Sequence, residues 1–456
     1  MNGVLGVVLV LSGVCAAVAN DARHDLRVGA AAVNLISDDS MVIAGSILPR
    51  FAKGQEGRLR AVAVVVERPG RSKLAIVSCD VIIVTRDFID PAVEEIQRTT
   101  GIPASNVLVS ATHTHHAPST AVVHGYGRDE GFVDQLRRAI VQAVQLANAK
   151  LGSGPARFFF HLGEEKTVGG NSRRLLPDGM ISWLGPRPEM GPPTGPFDPD
   201  LPVLAFRGPR GQLQALIYNH STHTIGARRG NVRSPSFYGL AAQELEQQLG
   251  TVVGFLEGAS GSTHNITRVP VAEAVERFKR AVRDGLERAE CHRVDRLAAI
   301  KRPFTFKVRR FDEEVEDEKV VRYCRKYAAG RADAFIEVFR EMRKQLAPLQ
   351  GQPRRTWLQV MAIGDVAIAG VPAEYFAGLG LDIKLRSPFP YTVVVELAND
   401  WIGYLPDRQA HKLGGYQTWM GLHSYAEVGT GEQMAEETVD MLQRLYQARS
   451  PGAAGT

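Results

Sequence analysis

Hydrophobic and polar positions along the chain change period repeatedly, and each change predicts an element. Apolar runs over 26–36, 59–67 and 73–84, separated by turn residues such as Pro69-Gly70-Arg71-Ser72, predict three early strands. A short helix over 91–98 stops before Gly101, and the apolar run 107–109 predicts a buried strand. Phe132, Leu136, Ile140, Ala143 and Leu146 recur at helical spacing, so 132–151 reads as an amphipathic helix closed by Gly152. A strand over 156–161 is followed by a Gly- and Pro-rich loop over 163–200, a length that in a compact protein points to function. Strands over 213–218 and 251–256 bracket a helix over 238–248. Charged helices over 271–289 and 317–345 flank a strand over 304–309. A hairpin turns at Gly364-Asp365 between 357–363 and 366–371. A strand over 391–397 and a helix over 432–446 complete the chain. The pattern predicts an α/β (α+β) architecture, a large mixed β-sheet core covered by helices.

The strand over 107–109 runs into Thr112-His113-Thr114-His115-His116-Ala117-Pro118, so three of the twelve histidines arrive together where a buried strand ends. On an extended backbone, residues two apart share a side, so His113 and His115 address one site and His116 turns away. A surface loop rich in histidine is the competing reading; the density of imidazoles directly after a strand favours a metal site at strand ends. The strand over 213–218 hands over imidazoles in the same way, at His220 and His223.

Composition narrows the class. With 44% hydrophobic and 23% charged residues over 456 positions, the chain is an ordinary globular protein without bulk disorder. The net charge of +5 comes partly from Arg/Lys-rich helices, and no basic cluster with interleaved aromatics marks a nucleic-acid partner; weak attraction to an anionic membrane surface stays open. Residues 1–19 read as a signal peptide, with an apolar run over 4–11 and Ala17-Val18-Ala19 as the cleavage site, which places the mature chain, 20–456, outside the cytoplasm as a secreted or periplasmic single domain. Cys79 reads as a buried apolar residue, and pairing of Cys291 with Cys324 stays open.

The motif at 112–118 resembles the Thr-His-Thr-His-Ser-Gly-Pro signature of the neutral, non-lysosomal ceramidase family, zinc amidases that cleave the N-acyl bond of ceramide; His116 and Ala117 are the departures. Later segments resemble the family in order, from about Val28 to Tyr446, and correspond to its amino-terminal catalytic domain without the carboxy-terminal immunoglobulin-like domain. The resemblance implies zinc held by His113, His223, Glu374 of Pro372-Ala373-Glu374, and Tyr404 of the segment 399–404. It places His115 beside the scissile amide, Arg173 or Arg174 of Asn171-Ser172-Arg173-Arg174 on the amide oxygen, and Tyr416 in the substrate pocket. The Gly-rich turn 258–265 stands where the family has its serine loop, with Ser262 in place of an aspartate and His264 matching the active-site serine. Backbone donors from this turn, rather than Ser262 as a nucleophile, are expected to serve the site. Asp80 and His116 are candidates for orienting ligands. The implied function is zinc-dependent hydrolysis of an N-acyl amide, ceramide or a related lipid, by metal-activated water. A two-metal phosphoesterase or lactonase using His116, His220 and His264, and a secreted binding protein that keeps the fold, are the alternative readings.

Overall fold

A computed structural model describes residues 26–185 and 187–448; the expected signal peptide over 1–19 lies outside the described residues. A nine-stranded mixed sheet runs in the order Val253–Glu257, Leu213–His220, Asp200–Arg207, Pro155–Glu164, Leu26–Leu35, Leu59–Arg68, Ser72–Cys79, Val107–Ala111, with Glu290–His292 added beside Pro155–Glu164. Only the pairs at the two ends of this path are parallel, Leu213–His220 with Val253–Glu257 and Ser72–Cys79 with Val107–Ala111. A second sheet orders Leu297–Lys307, Pro353–Ile363, Val366–Gly370 and Tyr391–Val395. The two sheets share a core that includes Val28, Val64, Ile76 and Leu108 on one side and Met361, Ile368 and Val393 on the other.

Helices cover the outer faces because their apolar stripes have no other place to go. Glu130–Ala149 packs on the strands Leu26–Leu35 and Leu59–Arg68, and Arg86–Thr100 packs beside it in the same core. Gly29 permits the close approach, since a Cβ there would meet the Ala147 carbonyl oxygen at 2.0 Å. Ser236–Leu249 and Val271–Arg288 cover the other half of the large sheet. The helices Glu313–Tyr327, Ala332–Leu346, Ala377–Arg386 and Thr430–Gln447 gather around the second sheet.

Several expectations are corrected. The expected single helix over 317–345 is two helices, broken at Ala329–Arg331, where Ala329 takes a positive φ of 44° beside Gly330. The helix expected over 91–98 begins at Arg86, despite Pro91 in its interior, because Phe88 and Ile89 are buried. The strand Asp200–Arg207 and the helix Ala377–Arg386 went unread, and Leu146 is exposed while Val144 and Ala147 are buried instead. Cys324 is buried in its helix and is not bonded to Cys291.

The short segment 396–399 explains how remote strand ends meet. Glu396 donates its amide to the Glu257 carbonyl at 3.0 Å, while Asn399 donates to the Val109 carbonyl at 2.7 Å and Ala398 bridges Ser110. It thereby joins the two edge strands of the large sheet, Val253–Glu257 and Val107–Ala111. Both histidine-bearing strand ends, after Ala111 and after His220, therefore open onto one region. Among the described residues no helix is long and apolar enough to cross a membrane.

Candidate metal centre and its cavity

His113 leaves its strand through a left-handed residue, φ 60°, a conformation that is uncommon outside glycine and is held where the surroundings determine it. Thr112 fixes the approach by donating to the Cys79 carbonyl at 2.8 Å, and His113 Nδ1 lies 2.8 Å from the Ile82 carbonyl oxygen. His113 and His115 do reach one site, through this turn and not through the pleat of an extended strand. The His115 amide donates to the Thr224 carbonyl at 3.1 Å, which ties the two histidine segments together. His115 Nδ1 lies 3.2 Å from the Gly45 carbonyl oxygen. Gly45 has to be glycine here: its φ is 91°, and a Cβ would fall 2.2 Å from His115 Nδ1.

His223 arrives from the neighbouring segment with its Nδ1 3.2 Å from the Ser260 carbonyl oxygen. Glu374 and Tyr404 face each other in a two-residue parallel pairing, Glu374–Tyr375 with Tyr404–Leu405, so their side chains leave side by side. Trp401 Nε1–H donates to Glu374 Oε1 at 3.1 Å and aims the other oxygen at the imidazoles.

These placements leave three Nε2 atoms pointing at one another. His113 Nε2 is 2.9 Å from His223 Nε2 and 3.3 Å from His115 Nε2. Glu374 Oε2 is 3.4 Å from His113 Nε2 and 3.6 Å from His223 Nε2, and the Tyr404 hydroxyl is 3.2 Å from His223 Nε2. With each Nδ1 committed as a donor to a carbonyl, each Nε2 presents a lone pair, and converging lone pairs repel unless a cation lies between them. A tetrahedral ion with bonds of about 2.0–2.1 Å separates its donors by roughly 3.3 Å. The edges found here bracket that value, so the donor set fits a divalent ion of this kind. The buried group His113, His115 and His223 could hold a metal ion on its own. Burial, reinforced by His113, drives His115 and His223 well below the ordinary imidazole range. Burial is the largest single influence on His113 and opposes its charging, but Glu374, Glu396 and the Ile82 carbonyl together raise its pKa.

The cluster opens into a cavity of about 640 Å³ whose wall includes His115, His223, His264, Tyr404 and Tyr416 as well as Ile47, Leu48, Trp183, Leu184, Met190 and Phe335. Tyr416 stacks on Trp183 with ring centroids 4.6 Å apart and donates to or accepts from His124 Nε2 at 2.9 Å. His264 stacks on His223 at 4.3 Å, with its Nδ1 2.9 Å from the Ser172 hydroxyl, and burial pulls its pKa down to about 4.

Other expected site residues lie elsewhere. Arg173 is buried away from the cluster, where it donates to Gln417 Oε1 at 2.8 Å and to the Gly414 carbonyl at 2.6 Å, and Arg174 donates to the Gly191 carbonyl at 3.2 Å. Neither guanidinium lines the cavity. The Ser262 hydroxyl accepts the Ala377 amide at 3.1 Å, at the start of the helix Ala377–Arg386. Asp80 accepts from the Arg60 amide at 3.1 Å and from Thr112, and it is Ile82, not Asp80, that orients His113. His116 Nδ1 faces the Val232 carbonyl at 2.9 Å, and His220 is spent on Tyr238 and on the Glu165 carbonyl. These two imidazoles are therefore not placed to build a second metal centre.

Three contributors were not singled out from sequence. Trp401 steers Glu374, His124 holds Tyr416, and Glu396 accepts the amides of Ser260 at 3.0 Å and Tyr375 at 2.8 Å and the Ser260 hydroxyl at 2.6 Å. Glu396 had a legible signal: a carboxylate inside the apolar run 391–397.

No protein-family model and no curated protein matches the chain. Among solved structures it superposes on a ceramidase in complex with C2, with a TM-score of 0.72 at 17% identity, over 93% of this chain and 76% of that one. It also superposes on the neutral ceramidase from Pseudomonas aeruginosa, with a TM-score of 0.71 at 18% identity, over 93% of this chain and 75% of that one. At such identities the likeness is one of fold, and the fold of this chain is that of the neutral ceramidases, the proteins its histidine motif resembles.

Proposed function

We propose that this protein is a zinc-dependent amidase that hydrolyses an N-acyl amide, ceramide or a related N-acyl lipid, outside the cytoplasm. The observation that carries the reading is the convergence of imidazole lone pairs and the Glu374 carboxylate at the wall of an apolar cavity. In this reading His113, His223, Glu374 and Tyr404 hold the ion. Bound there, zinc supplies Lewis acidity and makes water nucleophilic at neutral pH.

The chain's own groups do the rest. The apolar wall takes the acyl portion and excludes bulk water, which strengthens every polar contact at the amide. His115, kept neutral by burial, presents Nε2 to the space beside the donor set. From there it takes a proton in one half of the reaction and returns it to the departing amine nitrogen in the other. Tyr416, held by His124, offers a hydroxyl on the same wall. Arg173 and Arg174 have no part in this reading, because their guanidinium groups are bonded to carbonyls elsewhere. The extracytoplasmic location rests on residues 1–19.

The test is metal analysis of purified protein, combined with mass spectrometry of the products from a panel of N-acyl amides and from phosphoester and lactone controls. About one zinc per chain and release of a fatty acid with the matching amine support the reading. Turnover confined to the phosphoesters or lactones sinks it.

A further inference from the structure

One wall of the cavity carries a charge that amide hydrolysis itself does not call for. Arg331 lines the cavity at the break between the helices Glu313–Tyr327 and Ala332–Leu346, and its guanidinium lies over the Phe335 ring, 5.2 Å from the centroid. Phe335 lines the same wall, so the cation is held against the apolar surface that meets the ligand. Arg331 is exposed, and no carboxylate among the described residues pairs with it. None of the described residues lining the cavity is acidic. Glu374, the carboxylate of the donor set, is turned to the imidazoles and tied to Trp401. Away from the metal centre, the one guanidinium or ammonium group among the described residues of the cavity wall is therefore that of Arg331, and no carboxylate there opposes it.

An apolar cavity with one guanidinium and no carboxylate discriminates by sign. A cationic amine portion would be repelled, a neutral one would leave Arg331 in water, and an anion would gain a charge-assisted, forked hydrogen bond. We propose that the preferred substrate is an N-acyl amide whose polar end is anionic, a carboxylate or sulfonate bound by Arg331 while the apolar wall holds the acyl chain. The inference deepens the amidase reading and rests on it for the amide; Arg331 acts as a specificity-determining residue.

Binding of non-hydrolysable probes separates the two claims. N-dodecylsulfonyl glycine, its taurine counterpart and the neutral N-dodecylsulfonyl glycinamide are titrated calorimetrically into the full-length, metal-loaded protein. The anionic probes are expected to bind on the order of fivefold more tightly than the amide at low salt, the range of one exposed ion pair. That preference should shrink as ionic strength rises. Arg331→Ala should abolish the preference, read as the ratio of anionic to neutral affinity within each protein, and Arg331→Lys should retain part of it. Equal or tighter binding of the neutral probe to wild type, or an unchanged preference in Arg331→Ala, overturns the proposal. Hydrolysis of N-dodecanoyl glycine is followed separately: a binding preference without hydrolysis counts against the amidase reading and leaves the anion site standing.

Discussion

His115 and Ser262 illustrate how side chains in one small volume come to have different duties. Both sit in turns that reach the cavity region, yet the His115 Nε2 points at the donor cluster while the Ser262 hydroxyl is spent on the Ala377 amide. Replacing His115 with Ala removes a proton carrier without removing His113, His223, Glu374 or Tyr404. Turnover is expected to fall on the order of a hundred- to a thousandfold, the range for losing a general acid or an oxyanion partner. Zinc content measured in the same preparation should stay near one per chain, and a metal-free variant would reassign His115 to the ligand set. Ser262→Ala should behave in the opposite way. It removes a hydroxyl that satisfies a first-turn helix amide, so stability drops by about 1 kcal/mol, while turnover stays near wild type. Urea denaturation reads the first effect and a rate assay the second; an inactive but fully folded, zinc-loaded variant would restore the serine to the chemistry.

At the scale of elements, the segment 396–399 and the turn 258–263 hold the donor set together. Glu396 takes the Ser260 amide and hydroxyl and the Tyr375 amide, so one carboxyl group braces both the carbonyl that orients His223 and the strand that delivers Glu374. Gly261 lets the turn come this close, since a Cβ there would meet the Glu374 carbonyl oxygen at 2.4 Å. Glu396→Ala is expected to weaken zinc binding by about ten- to a hundredfold, as loss of an orienting partner does. Glu396→Gln keeps an acceptor for the amides and a donor for the Ser260 hydroxyl, and should bind zinc almost as wild type in a chelator competition. Equal affinities for all three proteins would remove Glu396 from the bracing role. This brace shows where reading the sequence stops. Strand ends bearing His113 and His223 are visible as apolar runs followed by imidazoles, because that pattern is local. The strand Asp200–Arg207 was hidden behind Pro196-Phe197-Asp198-Pro199-Asp200-Leu201-Pro202, turn-rich at its start although buried in the middle. Gly378 and Gly380 masked the helix Ala377–Arg386, which forms through burial of Ala377, Leu379 and Ile383 against its neighbours. The direction of Arg173 depends on Ala410, Gly414 and Gln417, more than 230 residues away, and no local pattern reports it.

Over the whole molecule, burial of ionisable groups sets two opposing pH dependences. Burial pulls His124 to about 4 and His423 to about 3, so between there and the ordinary imidazole value near 6.5 the unfolded chain binds more protons than the folded one. Stability from these groups rises as pH climbs through that window. Asp80 works the other way. Desolvation, only partly offset by Arg60, pushes its carboxyl up to about 7, whereas the unfolded value lies near 3.9. Below about 4 both states are protonated and Asp80 contributes nothing; between about 4 and 7 the folded state holds the extra proton, so the Asp80 contribution falls with rising pH and is fully unfavourable above 7. Asp80→Asn removes that dependence, and its amide can still donate to the Thr112 hydroxyl while its oxygen accepts from the Arg60 amide. The difference in unfolding free energy between Asp80→Asn and wild type should therefore move in favour of the variant from pH 4 to pH 7 and then level off, with the histidine contributions cancelling in the comparison. Urea titrations of both proteins across that range measure it directly. A difference that stays flat, or that moves toward wild type with rising pH, would show that Asp80 is ionised in the folded protein and paired with Arg60 throughout.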